Sequence, residues 1–367
     1  MFLSSRHEAA QEVSSPLASQ PDRKLDLRAL LRWWRAPLWL FALGTGAKSF
    51  ADNPILGSEA LNRRGLHVGR LKLAHALAWA RRRRLAPAVP AEWREQFDRD
   101  GFVEIRDFLP PNVFARLRSG LLERPSETRQ QQQGETITRR LPIGPKLLKD
   151  IPELRTLVGS KRWRSLLAYV ASTTSQPLYY VQTILAHYAE GAPDPQLELH
   201  SDTFHPSLKA WLFLTDVGED DGPLTYVTGS HRLTPERLAW EHARSVAIRD
   251  HDRLSQRGSL RIAEEELRAL GLPSPRRFAV PANTLVVVDT YGFHARGPSS
   301  GPSVRAEIWA YARRTPFLPW TGLDILSWKP LAIRRANMLY RLLDTFDQLG
   351  MRKQHWKPGG RKRLLDR

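Results

Sequence analysis

In the second half of the chain, apolar positions recur in short runs with a period of two, the pattern of half-buried β-strands. Runs at 179–187, 210–215, 224–227, 284–289 and 304–312 are rich in β-branched and aromatic residues and predict five short strands. The last alternates most clearly. Arg305, Glu307, Trp309 and Tyr311 share one face and small or aliphatic residues share the other, so this strand is expected to turn a polar, aromatic face toward a cavity. Helical patterns precede the strands at 92–99, 111–122 and 161–171, and residues 234–270 read as a largely helical insertion between strand pairs, placed to form a lid over a substrate. Short strands with Gly and Pro punctuation suit a jelly roll, so the predicted class is mainly β with flanking helices (α+β). The glutamine run 130–133 reads as a solvated loop.

The two ends follow a different pattern. Residues 58–86 predict a helix with Leu66, Leu73, Leu77 and Ala80 on one side and Arg63, Arg70, Arg81 and Arg84 elsewhere. Ahead of it, Trp33, Trp34 and Trp39 stand among leucines and arginines, and the uninterrupted apolar stretch 36–47 is shorter than the roughly 20 residues a bilayer-spanning helix needs. A helix is predicted at 329–349, followed by a tail, 351–367, whose Lys, Arg, Gly and Pro content predicts disorder or ordering by a partner.

Charge sharpens this division. The net charge of +18 is carried by the ends: residues 1–90 hold +9, residues 329–367 hold +8, and residues 91–328 only +1. The expected organisation is therefore a basic helical extension over 1–90, a nearly neutral catalytic domain over 91–328, and a basic C-terminal helix and tail over 329–367. Such ends point to an anionic partner. A Trp-rich, Arg-flanked segment suits a membrane interface, and the quartet Arg81 to Arg84 would attract lipid phosphates. Packing of both segments on the protein's own core through their apolar faces, with the arginines left in solvent, is favoured over membrane attachment, and nucleic acid is the less favoured partner, since no reader motif is present. The expected location is cytoplasmic, with peripheral attachment to the inner face of a membrane as the variant. With no cysteine, neither a disulfide nor a thiolate metal site is available.

Candidate chemistry centres on His200, Ser201 and Asp202. In a β-strand successive side chains point to opposite faces, so a His and an Asp two apart project from one face and can grip one metal ion. His294 is placed to supply a third ligand. Two imidazoles and one carboxylate form the facial triad of non-haem iron(II) oxygenases. Such a site takes 2-oxoglutarate as well, whose distal carboxylate needs a fixed cation, and Arg305, 11 residues after His294, provides a planar fork of donors. His205 is a rival ligand, but Pro206 suggests a turn there, so it is read as a pocket wall or substrate contact. His231, in a Gly-Ser-His-Arg loop, is read as structural.

These residues belong to an ordered set that resembles the phytanoyl-CoA dioxygenase-like iron(II)/2-oxoglutarate oxygenases over roughly residues 93 to 315. The set opens with Asp100-Gly101-Phe102-Val103 and runs through Phe108-Leu109, His200-x-Asp202 and Ala210-Trp211-Leu212-Phe213. It continues with Asp221-Gly222-Pro223, Gly229-Ser230-His231 and Phe293-His294, and closes on Arg305. The resemblance implies a double-stranded β-helix (jelly roll, cupin-like) core, and iron ligation by His200, Asp202 and His294. It also implies 2-oxoglutarate binding by Arg305, with Trp211 and Ile184 lining the cosubstrate pocket. Fe(2+), 2-oxoglutarate and O2 would be required, with ascorbate as a stimulant. The sequence departs from the family two residues beyond the distal histidine, where Arg296 stands in place of a small hydroxyl residue. With Asp202 present rather than Gly or Ala, hydroxylation is favoured over halogenation. The expected substrate is a lipid-related or other small organic molecule; a non-catalytic jelly-roll binding protein and a basic scaffold for nucleic acid are the alternatives.

Overall fold

The computed structural model describes residues 33–324 and 328–366. The chain divides into Met1–Leu38 and Trp39–Arg367. In the first unit the description begins with a 3-10 turn, Trp33–Arg35, and the helix Ala36–Leu43 starts directly after it. The part of the expected N-terminal pattern that falls on residues 1–32 lies outside the described residues. Trp34, Leu38, Leu40 and Phe41 are exposed. Among the described residues, no helix is long and apolar enough to cross a membrane.

The described residues of the second unit form eleven strands: β1 (Phe102–Ile105), β2 (Ser126–Gln133), β3 (Thr136–Pro142), β4 (Leu178–Ala186), β5 (Leu208–Phe213), β6 (Leu224–Tyr226), β7 (Arg276–Arg277), β8 (Leu285–Asp289), β9 (His294–Arg296), β10 (Ser303–Ala312) and β11 (Lys357–Lys362). Eight form one sheet in the order β1-β8-β5-β10-β4-β3-β2-β11, and three form a smaller sheet, β7-β6-β9. Every pairing is antiparallel. The period-two pattern explains how the large sheet is used. Ala306, Ile308, Ala310 and Ala312 of β10 join Leu208, Ala210 and Leu212 of β5 in the core shared with the helices Ala91–Asp100, Pro111–Leu122 and Lys161–Ala171. The opposite face carries Trp211, Phe213 and Trp309, which pack with Leu224 and Tyr226 of the small sheet. This is the jelly-roll arrangement: two antiparallel sheets, with a cavity on the inner face of the larger one.

One glycine fixes the start of the sheet. Gly101 ends the helix Ala91–Asp100 with φ +84°, and a Cβ there would lie 2.5 Å from both His231 Nδ1 and the Tyr226 hydroxyl. The Asp-Gly-Phe sequence is thus a left-handed helix stop that only glycine fits, set directly before β1. The helices Pro235–Val246, Arg253–Gln256 and Glu264–Ala269 occupy the predicted insertion.

Three expectations are corrected. The glutamine run is strand β2, paired on one side with β3 and on the other with β11. Periodicity missed it because the strand is polar on both faces, and its backbone pairing and side-chain contacts are made with residues far along the chain. The tail predicted to be disordered supplies β11, and Leu364 is fully buried in the main core. The third concerns the basic helix, observed as Glu59–Arg63 and Leu66–Leu85. Its buried side carries His67, Arg70, Leu71, Ala74, His75, Ala78, Arg81 and Arg82, while Leu73 is 53% exposed. Arg81 and Arg82 are therefore unavailable to lipid phosphates. Arg81 donates to the carbonyls of Ser172 (2.9 Å), Pro316 (3.0 Å) and Leu318 (2.6 Å). Arg82 donates to Val170 O (2.7 Å) and pairs with Asp289 (2.8 Å), both side chains being 1% exposed. This helix belongs to the same compact unit as the sheets.

Removing one member of a buried ion pair strands the other charge, at a cost of about 3–5 kcal/mol. Arg82→Met is therefore expected to lower the unfolding free energy by that amount in urea titration, whereas Arg83→Ala, on the exposed side, is expected to change it by less than about 0.5 kcal/mol.

Candidate active site

His200 and His294 are brought together by the backbone. His200 N–H donates to His294 O and His294 N–H donates to His200 O, each at 3.0 Å, forming an isolated antiparallel bridge between the segment after β4 and strand β9. Asp202 is held two residues on, where its N–H donates to Thr290 O at 2.9 Å. Ligand atoms of His200, Asp202 and His294 all lie within 4.8 Å of one another. Asp202 Oδ1 is 3.7 Å from His200 Nε2 and 3.6 Å from His294 Nε2.

The tautomers are set by neighbouring carbonyls. His200 Nδ1 donates to Glu198 O (2.8 Å) and His294 Nδ1 to Gly292 O (2.9 Å), which leaves both Nε2 lone pairs directed at the shared carboxylate. Burial lowers His200 to about 4, so its ring is neutral at physiological pH. Burial alone would raise the Asp202 carboxyl, but the Lys209 ammonium and the two imidazoles outweigh it and hold Asp202 well below the usual carboxylate range. Two imidazoles and an ionised carboxylate make a donor set that fits iron(II) in chemistry and in spacing.

The predicted residues converge on one cavity. His200, Asp202, His294, Arg305, Trp211 and Ile184 all line a space of about 340 Å3. Arg305 is 7% exposed, with Nη1 donating to Asp221 O (2.9 Å) and Gly222 O, and Nε 3.7 Å from Glu307. Burial lowers its guanidinium to about 10, with Glu307 pulling the other way, so it remains charged. Arg296 also faces this space and is paired with buried Asp194, so the residue that departs from the family motif brings its own counter-charge. His205 is turned away from the triad. Its Nδ1 donates to Pro206 O (3.0 Å) and its ring meets Phe204 at 5.0 Å. His231 is buried against Phe97.

Several residues of the site were not singled out from sequence. Lys209 Nζ lies 2.7 Å from Asp202 Oδ2 and 3.3 Å from His294 Nε2. It precedes Trp211 by two on β5, so the strand alternation that points Trp211 inward was a usable signal. Lys48 Nζ donates to Asp202 O at 2.5 Å across 154 residues of sequence, and nothing local could have found it. Burial lowers Lys48 to about 8, Asp202 opposing. Gln131 and Gln133 of β2 line the cavity too, which accounts for a glutamine-rich strand.

The phytanoyl-CoA dioxygenase (PhyH) family matches residues 97–262. That span includes His200 and Asp202 and ends before His294 and Arg305, which the fold brings to it. No curated protein matches the chain. Similar solved structures include HygX from Streptomyces hygroscopicus with nickel and 2-oxoglutarate bound, at 18% identity over 61% of this chain and 86% of that one, with a TM-score of 0.40. AviO1 from Streptomyces viridochromogenes Tue57 is similar at 21% identity, 61% and 94% coverage and a TM-score of 0.38. The carbocyclase SnoK from nogalamycin biosynthesis is similar at 18% identity, 61% and 83% coverage and a TM-score of 0.39.

Burial lowers four histidines, His75, His200, His205 and His231, from an ordinary value of 6.5. The unfolded chain takes up protons on them below pH 6.5 and the folded chain does not, so stability is undiminished above 6.5 and is lost as pH falls from 6.5 toward 4. Urea unfolding of the metal-free protein between pH 7.5 and 4.5 is expected to show this decline, at up to about 1.4 kcal/mol per pH unit for each histidine, and a flat profile would contradict it.

Proposed function

Because residues 97–262 form a domain of the phytanoyl-CoA dioxygenase family, and the chain is accordingly a non-haem iron(II)/2-oxoglutarate-dependent oxygenase, we propose that it hydroxylates an aliphatic carbon of a small organic or lipid-related substrate. The observation that carries the site assignment is the reciprocal backbone pairing of His200 with His294. It sets two Nε2 atoms against Asp202 Oδ1 at the cavity that Arg305 also lines.

His200, Asp202 and His294 would hold the metal. Bound there with 2-oxoglutarate, iron(II) supplies the oxygen activation that couples oxidative decarboxylation of the keto acid, to succinate and CO2, with oxidation of the substrate. The protein's own part is positional. The carbonyls of Glu198 and Gly292 hold the two rings, and Lys209 holds Asp202 Oδ2, which leaves Oδ1 facing the imidazoles. The Asp221 carbonyl and the neighbouring Glu307 carboxylate fix Arg305 before any carboxylate arrives, so little ordering remains to be done on binding. Trp211 and Trp309 give the cavity apolar walls that exclude water around the substrate carbon.

Anaerobic addition of Fe(II) and 2-oxoglutarate is expected to give the weak visible charge-transfer band of a chelated keto acid. His200→Ala should abolish the band. Arg305→Ala should raise the 2-oxoglutarate concentration needed for it by about tenfold or more, the loss of one charge-assisted pair. A folded, iron-loaded wild type without the band would return the chain to the non-catalytic binding reading.

A further inference from the structure

The C-terminal segment reaches the catalytic cavity. Helix Arg335–Gln348 is fastened to β2 by an ion pair in which Arg129 meets both oxygens of Asp344, and β11 extends the large sheet along β2. Beyond β11, Arg139 donates to the carbonyls of Leu364 (3.3 Å) and Asp366 (2.6 Å). Between the helix and the strand stands Trp356, which lines the same space as the triad.

Trp356 closes on Arg140 of β3. The Arg140 guanidinium lies 4.3 Å from the Trp356 ring centroid and 4.1 Å from that of Trp309, and is thus held between two indoles at the cavity wall. Its directed bonds go to neutral groups: Nε donates to Gln182 Oε1 at 2.8 Å, and Tyr340 is its other side-chain partner. The nearby carboxylate, Glu307, is engaged by Gln182 Nε2 at 2.9 Å and by Arg305. The other cations at this cavity are committed elsewhere, Lys209 to Asp202 and Arg296 to Asp194. In the functional reading above, Arg305 serves the cosubstrate. Arg140 is therefore the cation whose charge the protein leaves for a ligand, and aromatic faces hold such a group in place without neutralising it.

We propose that Arg140, clamped by Trp356 of the C-terminal segment, binds an acidic group, a carboxylate or a phosphate, on the organic substrate. The inference rests on the oxygenase reading of the cavity and adds to it the class of substrate. In it the C-terminal segment is part of the active site, with Trp356 as a positioning residue for Arg140.

The test uses the full chain loaded anaerobically with Fe(II) and 2-oxoglutarate, with benzoate and phenyl phosphate as separate probes titrated against the charge-transfer band and by calorimetry. At least one probe is expected to bind the wild type, and the preferred one tells carboxylate from phosphate. Arg140→Met and Trp356→Ala should weaken that binding at least about tenfold, Trp356→Phe should retain most of it, and the 2-oxoglutarate affinity of all three should stay within about twofold of wild type. Circular dichroism identifies any variant that fails to fold, and the remaining variants then carry the comparison. Absence of binding by either probe, or unaltered binding in Arg140→Met, would overturn the proposal. An equal loss of 2-oxoglutarate affinity would overturn it as well, because Arg140 would then serve the cosubstrate. Failure of the wild type to form the band is a separate result that removes the oxygenase reading itself.

Discussion

Two backbone hydrogen bonds, exchanged between His200 and His294, are the constraint on which the site depends. Residues 94 positions apart could supply imidazoles in any relative orientation. An antiparallel bridge fixes them side by side, with ring centroids 4.6 Å apart. Backbone geometry thereby places the two rings at low entropic cost, because both histidines sit on segments already ordered by the fold. The remaining polar contacts refine this pairing by choosing each ring's tautomer and the free oxygen of Asp202.

Behind that bridge lies an unusual use of arginine. Asp289, at the end of β8, accepts the N–H groups of Ser207 (3.1 Å) and Tyr291 (3.0 Å) and pairs with Arg82. It therefore organises the turn that carries the chain into His294. Arg237 pairs with Glu241, which also meets His67 of the basic helix at 2.8 Å, and its guanidinium lies 3.7 Å from the Phe293 ring centroid. The basic helix is thus a buttress for the loop before His294. Much of its charge is spent on backbone carbonyls and aromatic faces, which a planar, weakly hydrated guanidinium suits better than an ammonium would.

The same logic explains why charge counted along the chain misled. A net +9 over residues 1–90 looks like a solvated positive surface, yet Arg81 and Arg82 are among the largest fully buried side chains. Sequence gives the number of charges, and only packing tells which of them meet water.

What the sequence determined alone was the set of core strands, because β4, β5 and β10 are buried on both faces and their runs of apolar, β-branched and aromatic residues record it. It also carried His200, Asp202 and His294 as site candidates, since a facial triad needs two imidazoles and a carboxylate, and Arg305 as a cation for a distal carboxylate, whereas Trp211 and Ile184 came only from the family resemblance. The tertiary structure decided what has no local signature. Strands β2 and β11 exist through backbone pairing with neighbours far along the chain, and their side chains are polar because β2 borders a polar cavity. The helix Leu66–Leu85 buries histidine and arginine in preference to Leu73, since the surface it meets offers carbonyls and carboxylates that no hydropathy pattern records. Lys48, Lys209, Arg140 and Trp356 reach the site for the same reason. Their places follow from long-range contacts, whose energy depends on what each side chain meets across the fold rather than on the residues beside it in sequence.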